Sequence, residues 1–246
     1  MIDELRLLRG EDYVINQYIK IKQPTLDDIY KYGEQNYFVL VSMLCSTPSD
    51  MKVQLWDQFN IDWEQMNEFE FFSYLISNVG LKDSCILFGD LDFTKFKLAI
   101  NNVNEEIVLH HKSKDIVIDN SIYLLITNYL RMVHNFDKKT DVAGNEHTKQ
   151  YLLDKERRKI KRMQRKKSNY KPILAPLISS MVNCPNFKYD YKTVWNLPIY
   201  VFMDAVKRVQ KINQYNQLMQ GYYAGTVESK FLSEDKINWM GSLNES

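Results

Sequence analysis

Residues 196–212 read NLPIYVFMDAVKRVQKI, and this stretch predicts the last long helix of the chain, beginning at Asn196. Its apolar residues recur at helical spacing and so share one face. Pro198 falls in the first turn, where its missing N–H leaves no hydrogen bond unmade, and Gly221 and Gly225 mark the end. The apolar face comprises Val201, Phe202, Ala205, Val206, Val209 and Ile212, and the opposite face carries Asp204, Lys207, Arg208 and Lys211.

The same periodicity predicts further helices upstream. Thr25 offers its hydroxyl to the amide of Asp28 as a cap, and Asp62 and Asp119 are candidate caps of two other helices. Gly and Pro are scarce, with 8 and 6 copies, which favours helices joined by short connections. The predicted helices cover about 26–46, 48–58, 62–79, 119–134, 147–168 and 174–182. The best candidate loop or hinge is 135–145.

Two segments are instead typical of β-structure. Residues 4–23 predict a hairpin, with a first strand at Leu5–Leu8, a turn at 9–12 and an alternating second strand up to Ile21. A second, central hairpin is expected from Phe96–Ile100 and 106–110 around the Asn101–Asn104 turn, followed by a short strand at 116–118. We therefore predict a mostly α fold with a minor antiparallel β component.

The chain of 246 residues has room for two parts with their own cores, which we place at 1–90 and 91–246. Its first residues, MIDELRLLRGEDY, are acidic where a signal peptide needs a basic and then an apolar run. No apolar stretch approaches the length of a membrane span. We expect a protein that is neither exported by that route nor inserted in a membrane.

Residues 155–167, KERRKIKRMQRKK, hold nine Lys or Arg and one Glu. This segment carries +8 in a chain whose total is +1, which leaves −7 for all the rest. Such a basic segment suits an anionic partner, either nucleic acid or an acidic protein surface that includes another copy of the chain. A solvated helix is the third interpretation. The segment lacks the aromatic residues that single-strand readers use for stacking, and only Ile160 and Met163 form a stripe that could rest on the body.

The candidate partner-binding residues follow from these features. Most are cations of the basic segment, and one is a tryptophan in the apolar C-terminal tail 237–243, which either packs on its own body or anchors a partner. They are Arg157, Arg158, Lys161, Arg162, Arg165, Lys166 and Trp239.

No pattern of catalytic or metal-binding residues stands out. His110 and His111 are adjacent on a predicted strand and should point to opposite faces, so they are poorly placed to share a metal. The three cysteines, Cys45, Cys85 and Cys184, form no CxxC pair and lie in apolar settings that favour burial. We expect no disulfide, no metal site, no cofactor and no catalytic residue.

Asp90 and Asp92 place two carboxylates close together, and paired acids can hold Mg²⁺ for phosphoryl chemistry. That reading needs a third carboxylate, which the sequence does not identify. Capping of the following turn is the competing interpretation, and it needs no further residue. Motifs for nucleotide hydrolysis, dinucleotide binding, serine hydrolysis and zinc proteolysis are absent from the sequence.

Several stretches resemble uncharacterised morphogenesis proteins of bacteriophages that infect Gram-positive bacteria. They are QPTLDDIYKYGEQNY (23–37), LFGDLDF (87–93), AGNEHTKQ (143–150), LISSMVN (177–183), VWNLPIYVFMDAVKRVQK (194–211) and INWMGSL (237–243). The nearest named class is the tail or baseplate assembly protein, including tail assembly chaperones, which are mostly helical and bind other phage structural proteins. Many of those chaperones are shorter, which leaves a virion component open.

The resemblance implies a noncatalytic structural or assembly protein located in the virion or the host cytoplasm. Its expected partners are other phage structural proteins or copies of itself, with no membrane partner. A nucleic-acid-binding protein that uses the basic segment, beside lysines such as Lys171, Lys188 and Lys192, is the alternative.

Overall fold

The computed structural model describes residues 3–101, 105–165 and 170–243, and these are mostly helical. The helices are Glu4–Leu8 (α1), Leu26–Tyr32 (α2), Glu34–Cys45 (α3), Lys52–Phe59 (α4), Glu68–Ile76 (α5), Leu81–Phe88 (α6), Asn120–His134 (α7), Glu146–Arg165 (α8), Leu174–Val182 (α9), Ile199–Tyr223 (α10) and Glu234–Ile237 (α11). Short 3₁₀ turns lie at Pro48–Met51, Phe93–Lys95, Val194–Asn196 and Ser229–Phe231. The predicted fold class is confirmed.

Five short strands of the described residues form two antiparallel sheets. Tyr13–Val14 (β1) pairs with Lys20–Ile21 (β2) in the first sheet. Phe96–Ile100 (β3), Ile107–His111 (β4) and Val117–Ile118 (β5) form the second, in that order. Phe96 lies opposite His111 in this central hairpin, which confirms the predicted strands. Asn102–Asn104 of the predicted turn lie outside the described residues.

The predicted N-terminal hairpin is wrong in its first strand. Residues 4–8 form α1, because the side chain of Asp3 accepts a hydrogen bond from the amide of Leu5 at 3.0 Å and so caps a helix. The strands that do pair lie further along the chain, at β1 and β2. Asn16 shapes the turn between them by accepting the amides of Tyr18 and Ile19 at 2.9 and 2.8 Å.

Helix boundaries in the first third of the chain also differ from the prediction. The helix expected over 26–46 is divided into α2 and α3 by Gly33, whose φ of 99° lies outside the helical region. Asp62 does not cap a helix; Asn67 caps α5 by accepting the amides of Phe69 and Glu70 at 2.9 and 3.1 Å. The carboxylate of Asp62 instead forms an ion pair with Lys149 of α8.

The described chain divides into two compact units. The first contains the described residues of 1–11, 23–28 and 173–246, and the second those of 12–22 and 29–172. Each unit draws on separate segments, so neither is bounded by a single point along the chain. The division near residue 90 proposed from the sequence stays a prediction.

The first unit is built around α10. Pro198 has extended backbone angles and lies at the cap position, so the helix begins at Ile199 and not at Asn196 as predicted. The segment 23–28 is held beside it by backbone hydrogen bonds from Leu26 to Leu197 and from Ile199 to Pro24, at 3.0 and 2.9 Å. Its buried side chains include Leu7, Leu26, Leu174, Ile178, Met181, Val194, Leu197, Ile199, Tyr200, Phe202 and Val206.

The second unit has a main core in which α3, α5 and α7 pack together. Asp119 caps α7 through the amide of Ile122 at 2.8 Å, as the sequence predicted. A smaller apolar cluster lies at one side of this unit and consists of Val53, Leu55, Trp63, Phe71 and Leu153. The last of these belongs to α8, so this cluster fixes where the basic helix lies.

Candidate functional site

The basic helix α8 is anchored to the second unit by its apolar residues. Leu153 is fully buried in the small cluster, and Ile160, two turns later on the same face, packs against that cluster. Met163, which the sequence placed in the same stripe, is 57% exposed. The anchoring stripe therefore runs through Leu153 and Ile160 and does not include Met163.

Lys149 secures the beginning of α8. Its ammonium group lies 2.6 Å from a carboxylate oxygen of Asp62 and 2.9 Å from one of Glu64. It also lies 5.3 Å from the ring centre of Trp63 and 5.7 Å from that of Trp56. The hydrogen bonds to Asp62 and then to Glu64 raise the pKa of Lys149 above its ordinary value. This buried lysine therefore stays charged and fastens the helix.

Arg157 faces carboxylates of its own chain. Its Nε lies 3.0 Å from Asp57 Oδ2, its second terminal nitrogen bonds Asp57 Oδ1, and its first donates to Asp154 at 2.8 Å. The hydrogen bond to Asp57 and then that to Asp154 raise the pKa of Arg157. One of the residues predicted to bind a partner is thus already engaged within the second unit.

A pocket of about 610 Å³ lies beside α8. One wall consists of Ser49, Asp50, Lys52, Lys139 and Asp141, which come from the turn before α4, from α4 and from the loop before α8. The other wall is α8 itself, with Tyr151, Lys155, Glu156, Arg158, Lys159 and Arg162. The basic segment thus contributes much of the lining of this pocket.

The loop that supplies part of the first wall is the predicted loop 135–145, and hydrogen bonds hold it in place. The hydroxyl of Thr47 donates to the carbonyl of Lys139 at 2.9 Å, and the amide of Asp141 donates to the hydroxyl of Ser49 at 3.1 Å. The indole N–H of Trp63 donates to the carbonyl of Asp141, also at 3.1 Å. These bonds fix the loop against residues 47–49 before α4 and against Trp63 after it.

Every acidic side chain of the pocket wall has a lysine partner. Asp50 pairs with Lys139 at 2.8 Å, Glu156 pairs with Lys159 at 3.1 Å, and Asp141 pairs with the buried Lys52. Burial alone would raise the pKa of Asp50, but hydrogen bonds from Lys139 and Thr47 outweigh it and hold that pKa below its ordinary value. The three carboxylates are thus neutralised within the wall.

Three cations of the wall have no such partner in the described part of the chain. They are Lys155, Arg158 and Arg162, and all three are exposed. Nε of Arg158 donates to the carbonyl of Asp154 at 3.1 Å. Because the acids of the wall are paired with other lysines, these three charges give the pocket a positive surplus.

The remaining predicted partner residues are scattered. Lys161 and Arg165 are exposed on α8 outside the pocket lining, and Lys166 lies outside the described residues. Trp239 is half-buried in the first unit. The guanidinium of Arg208 on α10 donates to the carbonyls of Trp239 and Gly241, the latter at 3.0 Å. Lys211 adds a hydrogen bond to the carbonyl of Ser242 at 3.3 Å, so the tail lies against α10.

The histidine pair lies as the strand alternation predicts. His110 is exposed, whereas His111 is buried and its Nδ1 accepts the amides of Ser113 and Lys114 at 3.1 and 3.0 Å. Burial lowers the pKa of His111. Within residues 3–101, 105–165 and 170–243, no group of three or more His, Cys, Asp or Glu side chains is arranged to hold a metal ion.

Asp92 has a local structural role, and the cysteines differ in their exposure. Asp92 accepts the amide of Thr94 at 3.1 Å and so caps the 3₁₀ turn that follows, which is the competing interpretation given above. Cys45 is buried, and burial raises its pKa to about 12. Cys85 is exposed and Cys184 is half-buried, so the expectation of burial is confirmed for Cys45 and wrong for Cys85, which belongs to α6.

Nothing in the sequence indicated that the first wall of the pocket lies beside α8, and sequence reasoning also missed Tyr151 on α8 itself. Tyr151 lies one helical turn before Lys155, just outside the segment defined by charge, and it is 55% exposed. The available signal was its spacing of four residues from Lys155, which puts both on one side of a helix.

Residues 164–244 match the family model of the YomV second domain. This is a phage-derived family, and the match indicates a phage protein. It covers about a third of the chain and falls largely on the C-terminal segment of the first unit, including α9, α10 and α11. The pocket-lining residues of α8 lie before it. The chain has no significant match among curated proteins or solved structures. No helix in the described ranges is both long and apolar enough to cross a membrane.

Proposed function

We propose that the protein is a noncatalytic bacteriophage component that acts through protein–protein contacts during virion structure or assembly. The observation that carries this proposal is the match of residues 164–244 to a phage-derived domain family. A tail or baseplate role is the finer form of the proposal, and it rests on the resemblance of the sequence to phage morphogenesis proteins. The virion and the host cytoplasm are the places where we expect it.

Exposed apolar side chains in the matched region support a contact function. Tyr223, Phe231 and Met240 are exposed by 79%, 49% and 73%, and Tyr222 and Ile237 by 38% each. All five lie after the middle of α10, within a short stretch of the first unit. Contiguous patches of exposed apolar groups are characteristic of surfaces that bind another protein, and these five residues are close in sequence. The partners we propose are other phage structural proteins or further copies of this chain.

The experiment is a comparison of phages that carry single substitutions. Tyr223→Ser and Met240→Ser are expected to lower phage titre and to leave incomplete particles in electron micrographs. Val39→Ser, which changes a 60% exposed apolar residue of α3 in the second unit, is the matched control. Mass spectrometry of purified particles then separates a virion component from a transient assembly factor. Complete particles at normal titre from a phage that lacks the gene would refute the proposal.

Nucleic-acid binding through residues 155–167 is the alternative. The observation in its favour is that Lys155, Arg158 and Arg162 have no carboxylate partner in the described ranges, while Lys161 and Arg165 are exposed nearby. Retention of the purified protein on DNA, falling steeply as salt is raised, would support this alternative, because release of counterions from phosphates makes binding salt-dependent. Retention on acidic protein alone would support the first proposal.

A further inference from the structure

Four residues on one stripe of α8 face the pocket described above. Tyr151, Lys155, Arg158 and Arg162 all line it. Their spacings of four, three and four residues place them within about 60° of one another around the helix. The neighbouring cations are about 4.5 and 6 Å apart along the axis. The stripe therefore presents one exposed aromatic ring followed by three closely spaced positive charges.

We propose that this pocket binds a nucleotide unit, with its phosphates on Lys155, Arg158 and Arg162 and its base stacked on Tyr151. The ligand is either a free nucleoside polyphosphate or a nucleotide of a single-stranded nucleic acid, because both carry the same phosphates and base. The site does not depend on the assembly role proposed above, and neither stands or falls with the other.

The chemistry of the wall suits a ligand that carries phosphates and a base. Two of the three cations that have no carboxylate partner in the described ranges are arginines, whose planar guanidinium groups match phosphate oxygens with two parallel hydrogen bonds. A nucleotide also carries a base, and the ring of Tyr151 on the same stripe offers it a stacking surface, since every base has a face that can stack. The volume of about 610 Å³ lies within the range of small-ligand pockets, roughly 300–1,000 Å³.

The ion pairs within the pocket wall leave three other positive charges available to a ligand. Lys52, Lys139 and Lys159 already neutralise Asp141, Asp50 and Glu156, so a ligand would not have to displace a carboxylate from Lys155, Arg158 or Arg162. Like charges three or four residues apart on a helix repel one another, and a bound polyanion relieves that repulsion. Removing two of these cations should accordingly leave the fold intact or slightly more stable.

The test measures binding of purified full-length protein by calorimetry with ATP and by fluorescence anisotropy with a labelled oligothymidylate. The pocket variant is Arg158→Gln with Arg162→Gln. Its matched control is Lys82→Gln with Lys97→Gln, which removes the same charge from exposed lysines of the second unit that lie outside both the basic segment and the pocket lining. We expect the pocket variant to weaken binding at least tenfold and the control to leave it within about twofold. Tyr151→Ala should weaken binding roughly 5- to 150-fold, the usual effect of losing one stacked base.

The two ligand sources are distinguished by the two probes. Binding of ATP in a one-to-one complex, with the same dependence on the variants, identifies a free-nucleotide site. Binding of the oligonucleotide alone, with affinity falling by a slope of about −2 in log salt for three single-strand phosphates, identifies a strand-binding site. The proposal is overturned if neither probe binds, if both double variants weaken binding equally, or if polyglutamate competes as well as the nucleotides do. Normal virion assembly by the pocket variant would leave the assembly proposal standing.

Discussion

The hydroxyl of Tyr37 and Nε2 of His134 lie 2.7 Å apart inside the second unit, joining residues 97 positions apart. Nδ1 of the same ring lies 2.8 Å from the carbonyl oxygen of Leu130, which can only accept, so Nδ1 carries the proton. Nε2 therefore accepts from Tyr37. Both side chains are buried in the core between α3 and α7, so this bond connects the two helices.

This histidine should make stability depend on pH. Burial lowers the pKa of His134 to about 4, from an ordinary value of 6.5. Between pH 6.5 and pH 4 the unfolded chain binds a proton on this histidine and the folded chain does not. The contribution of neutral His134 to the free energy of unfolding is therefore complete above pH 6.5 and is lost as pH falls toward 4. The free energy of unfolding should fall by about 3 kcal/mol over this pH range. Denaturant unfolding at a series of pH values measures it. His134→Gln should flatten the curve, and the exposed His110→Gln should not; equal slopes for both would contradict the assignment.

Lys149 is expected to be the lysine of α8 that matters most for stability. Lys149→Met keeps the apolar stem but leaves Asp62 and Glu64 without their counter-charge. We expect a loss of about 2–3 kcal/mol, less than for a fully buried pair because both carboxylates are partly exposed. Lys161→Met on the exposed side is the control and should change the unfolding free energy by less than about 0.5 kcal/mol. A loss of the same size in both variants would show that the pairing contributes nothing specific.

Charge reversal should separate the arginines of the basic segment into two groups. Arg157→Glu places a third carboxylate beside Asp57 and Asp154 and should lower stability by about 1 kcal/mol. Reversal at Arg158, Arg162 and Arg165 should leave the melting temperature within experimental error while weakening binding to an anionic partner. Association measured at low salt tests the second part. Unchanged association after the triple reversal would show that the basic helix takes no part in partner binding.

Arg208 should hold the C-terminal tail against α10. Arg208→Ala removes the hydrogen bonds to the carbonyls of Trp239 and Gly241, so the tail should detach more often and trypsin should cleave faster after Lys230 and Lys236. Lys207→Ala, the adjacent substitution, is the control. Trp239→Ala should cost about 1–2 kcal/mol, below the 3–5 of a fully buried ring, because this side chain is only half-buried. Lost partner binding at unchanged stability would instead identify Trp239 as an anchor.

Chelation tests the expectation that the protein needs no metal. Treatment with EDTA followed by dialysis should leave the melting temperature unchanged, because a structural metal would contribute its binding free energy to folding. Elemental analysis of the untreated protein should find no stoichiometric zinc or magnesium. A drop in melting temperature that added zinc or magnesium reverses would refute the expectation.

The elements that could be predicted from sequence are those set by neighbouring residues. The cap at Asp119 and the apolar spacing of α7 are local signals, and the helix begins where they place it. The first strand of the N-terminal hairpin was mispredicted because a short apolar run fits either period, and the cap at Asp3 decided in favour of a helix. The divided helix at Gly33 likewise depended on one backbone conformation that the apolar pattern does not reveal.

The sequence by itself determined the helical character of the chain, the central strands and the concentration of positive charge in residues 155–167, because periodicity, capping and charge are properties of adjacent residues. Only the tertiary structure decided how that charge is divided. Arg157 pairs with Asp57, which lies 100 positions away in the sequence, and Lys149 pairs with Asp62, 87 positions away. In contrast, Lys155, Arg158 and Arg162 line a pocket together with Tyr151. Ion pairing requires charged atoms to lie within a few ångströms, and that proximity arises from the packing of segments distant in sequence.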